Sequence, residues 1–176
     1  MTAISDSELK KAILKGKIFI YPTDTIYGLG CNAENQESVK KIKKIKTRDS
    51  EKPLSIIAPS ISWIKEHCIF DEILEKYLPG PYTLILEKLR PGFLSHVSPT
   101  STLGIRIPKN EFCDRIRNIG KPFVTTSVNL SREPFATSID SISKEIKDKV
   151  DIIQEAKEKL SGKPSTLIIN GKILER

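Results

Sequence analysis

Residues 17–30, KIFIYPTDTIYGLG, decide how the rest of the chain is read. Lys17 to Tyr21 is a β-branched and aromatic run, the composition of a strand, and Pro22 closes it. The stretch from Tyr21 to Gly30 then packs hydroxyls, a carboxylate and two glycines behind that strand. Residues 36–46 follow as an amphipathic helix, with Val39, Ile42 and Ile45 on one face and Lys40, Lys41, Lys43 and Lys44 over the rest. A strand, a polar connection and a helix form the unit from which α/β chains are built.

The same alternation continues outward. Ser5-Asp6-Ser7-Glu8 fits a capping box, Leu9, Ala12 and Ile13 give a helical stripe, and Gly16 is the stop. Downstream, Leu54–Ala58, Tyr82–Glu87, Gly104–Ile107, Phe123–Thr126, residues 150–153 and Thr166–Ile169 read as strands. Residues 60–67, 70–77, 110–118 and parts of 139–148 read as helices, and Pro79-Gly80-Pro81 as a turn. The expected fold is α/β, a twisted mixed sheet with flanking helices. Such sheets bind ligands beyond strand ends, near a topological switch, so chemistry is sought in the polar loops after strands.

The 176 residues fit one domain spanning 1–176. The longest apolar run is four residues, Ile18 to Tyr21, against roughly twenty for a membrane span, so no membrane partner is expected. Met1 to Asp6 carries neither a basic n-region nor an apolar h-region, and the expected compartment is the cytoplasm. Twenty-nine basic against 22 acidic side chains leave +7, which favours polyanionic partners without choosing among them. Cys31, Cys68 and Cys113 are odd in number, scattered and without a CxxC, so free thiols in or near the core are expected, with no disulfide framework and no metal site.

Four stretches can carry chemistry. In the first, Thr25 can bond a polar ligand, Tyr27 can wall a pocket, and Gly28 and Gly30 permit close backbone approach or positive φ; the alternative is an ordinary strand-to-helix loop. In the second, residues 46–53, six basic side chains fall between Lys40 and Arg48 with no acid among them. These either cap a solvated helix end or clamp phosphate, with Lys46 and Arg48 alternating onto one side of an extended segment and Lys52 adding a point charge. In the third, Arg106 sits two residues into an apolar strand, either on a solvated face or holding an anion at a cleft floor. In the fourth, Ser127 and Asn129 share a side at a strand end, as ligand contacts or as a polar turn. Only His67 and His96 occur, so a Ser-His-Asp hydrolase is not supported, and no GxxxxGK[ST] is present. The sum is a site for positioning and charge stabilisation of anionic reactants, with a nucleoside triphosphate as the natural ligand.

Taken in order, YPTDTIYGLG, KTRDSEKPLSI, PGPYTLIL, TLGIRIP, TTSVNLSREPFAT and STLII resemble the YrdC-like L-threonylcarbamoyladenylate synthases, from about residue 17 to the C-terminus. The KxR signature falls on Lys46 and Arg48 and the SxN signature on Ser127 and Asn129. The resemblance implies a sheet enclosing a large basic cavity, in the short form without an extra C-terminal domain. It implies synthesis of threonylcarbamoyl-AMP and pyrophosphate from ATP, L-threonine and bicarbonate or CO2. A downstream threonylcarbamoyl transferase then modifies adenosine in tRNA. By motif, Thr25, Arg106, Ser127 and Ser165 fall on the threonine site, and Arg48, Lys52, Thr102, Asn129, Thr137 and Arg176 on the ATP site. The same resemblance implies that Lys46 and Arg48 are the catalytic cations and that Mg2+ accompanies the ATP with no protein cage. The alternative is a module of this fold that grips tRNA or double-stranded RNA without catalysis; against it stands the low aromatic content of 6%, with no stacking platform.

Overall fold

The computed structural model describes residues 4–46, 52–129 and 134–174. Helix α1 (Asp6–Leu14) carries the expected capping box: Ser5 Oγ accepts from the Glu8 N–H, and the Glu8 carboxylate accepts from the Ser5 N–H at 3.0 Å. Gly16, at φ 71°, ends it.

Strands β1 (Phe19–Pro22) and β2 (Tyr27–Gly30) form an antiparallel hairpin, with Phe19 opposite Gly30 and Pro22 opposite Tyr27. Residues 27–30 are therefore strand and not a strand-to-helix loop. Two causes are visible. The Thr23 side chain closes the turn, donating to the Ile26 carbonyl at 2.7 Å and accepting from Thr25 N and Ile26 N at 3.1 and 3.2 Å. The glycines serve packing: neither Gly28 nor Gly30 has positive φ, a Cβ on Gly28 would come within 2.9 Å of the Tyr21 ring, and one on Gly30 would collide with the Val124 carbonyl oxygen.

The remaining elements are α2 (Gln36–Ile45), β3 (Ser55–Ile57), α3 (Ile61–His67), a 3-10 helix (Glu72–Tyr77), β4 (Tyr82–Glu87), β5 (Thr102–Arg106), α4 (Glu111–Arg117), β6 (Phe123–Ser127), α5 (Lys144–Lys147), β7 (Ile152–Ile153), β8 (Thr166–Ile169) and β9 (Lys172–Leu174). The helical pattern over 139–148 contracts to α5, and that over 70–77 to a 3-10 helix at Glu72–Tyr77. Strand β9, absent from the sequence reading, follows a two-residue turn in which Asn170 and Gly171 sit at φ 50° and 73°, the geometry that Asn-Gly favours.

The strands form one sheet in the order β7-β1-β2-β6-β3-β5-β4-β8-β9. It is mixed, with β1/β7, β3/β5 and β4/β8 parallel and the other pairs antiparallel. Strand alternation divides its side chains between two faces. One face presents Ile20, Leu29, Val124, Ile56, Ile105 and Leu84, which pack with Val39, Ile42 and Ile45 of α2 and Ile64 of α3. On the other, Phe19, Tyr21, Phe123 and Ile57 meet Leu9 and Ile13 of α1 and Phe112 and Ile116 of α4, with Tyr21 and Phe123 edge to face at 5.6 Å. This second apolar layer covers only part of its face. Beyond it the inward positions turn small and polar: Gly28, Thr125, Ser55, Thr83 and Arg106. All three cysteines are buried free thiols. No described helix is long and apolar enough to cross a membrane.

Candidate active site

That polar part of the sheet is the floor of a cavity of about 140 Å3. Strand β5 delivers Arg106, β6 delivers Thr125 and Ser127, β3 delivers Ser55, and β4 delivers Thr83. Register explains the convergence: Ser55 lies opposite both Gly104 and Thr125, and Gly28 lies opposite Ser127. The hairpin adds Thr23 and Tyr27, and Ser165 enters at the start of β8.

Arg106 is 6% exposed and faces the cavity, the second of the two alternatives its sequence position left open. Its charge is met within the chain. Nη2 donates to Asp24 Oδ1 at 2.7 Å and to Thr25 Oγ1 at 3.3 Å, while Nε is buried without a partner. Asp24 is itself fixed, because Oδ2 accepts from the Lys109 backbone N–H at 3.0 Å. The sequence reading missed Asp24 as the partner of Arg106, since the two are 82 residues apart. It also passed over Ser55, Thr83 and Thr125, whose signal was a hydroxyl at the same inward position of three strands.

Lys46 itself is not extended. It caps α2 in helical geometry, φ −75° and ψ −2°, because the backbone of Ile42 accepts its N–H at 3.0 Å. Its Nζ is directed to the end of β6. It donates to the carbonyl oxygens of Ser127 and Asn129 at 2.6 and 2.7 Å, to Asn129 Oδ1 at 3.0 Å and to Ser127 Oγ at 3.3 Å. Ser127 Oγ in turn donates to Asn129 Oδ1 at 2.6 Å. Lys46 of the first signature and Ser127 and Asn129 of the second, 81 to 83 residues apart in the chain, are one hydrogen-bonded cluster.

The other expected site residues divide. Thr25 is buried, bonded to Thr23 Oγ1 at 2.9 Å, and Ser165 is buried against Thr83 Oγ1 at 2.7 Å. Lys52 and Thr137 are exposed. Thr102 opens β5 opposite Glu87, bonded among Ser98 and Thr100, and does not line the cavity. Arg48 and Arg176 lie outside the described residues. Among the described residues, Arg106 is the one charged side chain in the lining. Among the described residues the cavity is polar and rich in hydroxyls; residues 47–51 and 130–133 of the KxR and SxN blocks lie outside the described residues.

Burial pushes the Tyr21 hydroxyl far above its ordinary value, so it stays a neutral donor, bonded to Thr125 Oγ1 at 2.7 Å. Burial likewise raises the Cys31 and Cys113 thiols, and lifts Cys68 to about 11 against a weak opposing pull from Lys88, so none is a ready thiolate. Among the described residues no group of three His, Cys, Asp or Glu side chains is placed to hold a metal.

Fold and site together define an α/β protein whose sheet carries a hydroxyl-lined pocket around a buried guanidinium. Residues 11–174 match the Sua5/YciO/YrdC family model, described as telomere recombination, and the chain belongs to that family. It is 39% identical over 164 residues to a Methanocaldococcus jannaschii protein named "Putative threonylcarbamoyl-AMP synthase", covering 91% of this chain and 77% of that one. It is 28% identical to the threonylcarbamoyl-AMP synthase of Vibrio campbellii, covering 91% of each. Among solved structures, P. abyssi Sua5 complexed with L-threonine aligns with a TM-score of 0.81 at 27% identity, over 97% of this chain. The present chain spans 53% of that Sua5 chain, about half its length.

Proposed function

We propose that this chain is a threonylcarbamoyl-AMP synthase, forming threonylcarbamoyl-AMP and pyrophosphate from ATP, L-threonine and bicarbonate or CO2. The observation that carries the reading is the cluster of Lys46 with Ser127 and Asn129 at the rim of the pocket that holds Arg106. The names of the family members and the L-threonine bound by P. abyssi Sua5 agree with it.

The chemistry needs positions more than it needs a protein nucleophile. The threonine nitrogen adds to CO2, forming an N–C bond and a carbamate with loss of the amine proton. A carbamate oxygen then attacks the α-phosphorus of ATP, and the bond to the β-phosphate oxygen breaks to release pyrophosphate. In this scheme the buried Arg106 takes the threonine carboxylate, and the hydroxyls of Thr25, Ser127 and Ser165 orient the amino acid. Lys46 holds Ser127 and Asn129 in register. Arg48, Lys52, Thr102, Asn129, Thr137 and Arg176 are assigned to ATP by motif. Mg2+ enters on the ATP phosphates. A downstream threonylcarbamoyl transferase acting on tRNA consumes the product.

The test is pyrophosphate release from ATP with each amino acid in turn, with and without bicarbonate. Release should require both threonine and bicarbonate. Serine, which loses only a methyl group worth about 1 kcal/mol, should be a poor substrate, and valine, which leaves buried hydroxyls unpaired, a poorer one. Equal rates with valine and threonine would overturn the amino-acid assignment.

A further inference from the structure

Arg106 presents an unusual balance. It is the one charged group in the described lining, it is 94% buried by its 6% exposure, and its internal partner satisfies only one end of the fork. A carboxylate free to turn would meet a guanidinium through two parallel N–H···O bonds. Asp24 cannot turn: the Lys109 N–H holds Oδ2 at 3.0 Å, so only Oδ1 reaches Arg106, at 2.7 Å on Nη2. The adjacent donor, Nε, is left buried with no partner. A buried donor without an acceptor is costly, the more so when it belongs to a charged group. Asp24 is 11% exposed at its side chain and Arg106 7%, so solvent relieves little of this.

Building on the reading of the pocket as an amino-acid site, we infer that Asp24 is a positioning residue. It holds the Arg106 guanidinium through Nη2 alone and so keeps Nε open for the carboxylate of the substrate. The empty pocket then contains no uncompensated buried charge, and the arriving carboxylate finds a donor already oriented. Thr25 takes part from the same turn, accepting from Nη2 at 3.3 Å and fixing the plane of the fork.

The experiment crosses a change in the protein with a change in the ligand. Binding of L-threonine and of L-threoninol, which lacks the carboxylate, is measured by calorimetry on the full chain, wild type and Asp24→Asn. Wild type should prefer threonine by about tenfold or more, the scale of one charged hydrogen bond. In Asp24→Asn the preference should shrink to within about threefold, while affinity for ATP is unchanged, because the loosened fork no longer presents Nε. A preference retained in Asp24→Asn overturns the inference while leaving the functional reading intact. Failure of wild type to bind threonine overturns both. Should Asp24→Asn not fold, Lys109→Pro removes the backbone donor and leaves both charged partners in place. Asp24 can then close both oxygens onto Arg106, and threonine affinity should fall about tenfold by competition for Nε. Unchanged affinity in a folded Lys109→Pro overturns the inference.

Discussion

Lys46 shows how a single side chain can be placed by sequence and given a different job by structure. A run of lysines invites a reading as solvated charge or phosphate clamp. Lys46 is instead 4% exposed, with its ammonium among four oxygens of Ser127 and Asn129. Lys46→Met would strip a buried donor from at least two carbonyls, a loss of about 1–3 kcal/mol each where no water replaces it. We expect the melting temperature to fall by at least about 4 °C, at about 2–4 °C per kcal/mol for a chain of this size, together with loss of pyrophosphate release. Lys46→Arg should not restore activity, because a planar fork cannot converge on one point as an ammonium does. A Lys46→Met protein with wild-type melting and lost activity would return the residue to a role at the substrate. Neither this cluster nor the Arg106–Asp24 pair was legible in the sequence. Each joins residues more than 80 positions apart, and nothing local specifies a partner at that distance.

At the scale of elements, the legible parts were those whose signal is local. The α1 capping box, the α2 stripe and the strands Tyr82–Glu87 and Thr166–Ile169 follow from period and cap chemistry alone. Asn170-Gly171 was an equally local signal for the β8–β9 hairpin and went unread. Strand β2 is different in kind. Its glycines resemble loop residues, yet they are demanded by the neighbouring Tyr21 ring and Val124 carbonyl, which only the folded sheet brings near. Gly30→Ala should therefore destabilise by about 2 kcal/mol or more, as overpacking against backbone does. Gly92→Ala, where no atom lies within 4 Å of a new Cβ, should stay within about 0.5 kcal/mol of wild type. Urea unfolding of the two variants checks the contrast. At the sheet's other end, Asp151 ties β7 to the entry of β1, accepting from Ile18 N at 2.8 Å and Lys17 Nζ at 2.7 Å. Burial alone would raise its carboxyl, but these two donors outweigh it and hold the group below the usual range. A lowered folded value stabilises above the unfolded carboxylate pKa, about 3.9, and the benefit fades as pH falls through the folded value. Asp151→Asn should thus be less stable than wild type at neutral pH, with the gap closing below about pH 4 in thermal melts taken across pH.

For the whole molecule, the sheet's two coverings do different work. One face presents the apolar row Ile20, Leu29, Val124, Ile56, Ile105 and Leu84 to α2 and α3, and anchors the fold. The other is sealed by α1 and α4 only where Phe19, Tyr21 and Phe123 need cover, and is left polar next to them. Function and stability thus share one sheet, with the pocket beginning where the second apolar layer stops. This also separates the enzyme reading from the RNA-binding one. The enzyme reading assigns activity to the hydroxyl-lined floor, whereas RNA grip would use the outer lysines and should weaken steeply with salt. The position of that floor has a further consequence for hydrogen exchange. Strands β6, β3 and β5 stand fourth, fifth and sixth among nine, with paired neighbours on both sides. Amides there become exchangeable only when the sheet itself opens, whereas edge strands and turns open locally. The pocket floor should therefore exchange at the slowest, global rate, while the edge strands β7 and β9 exchange faster. The substrate would then meet a rigid base plate, and its binding should add little protection to amides that already exchange only through global opening.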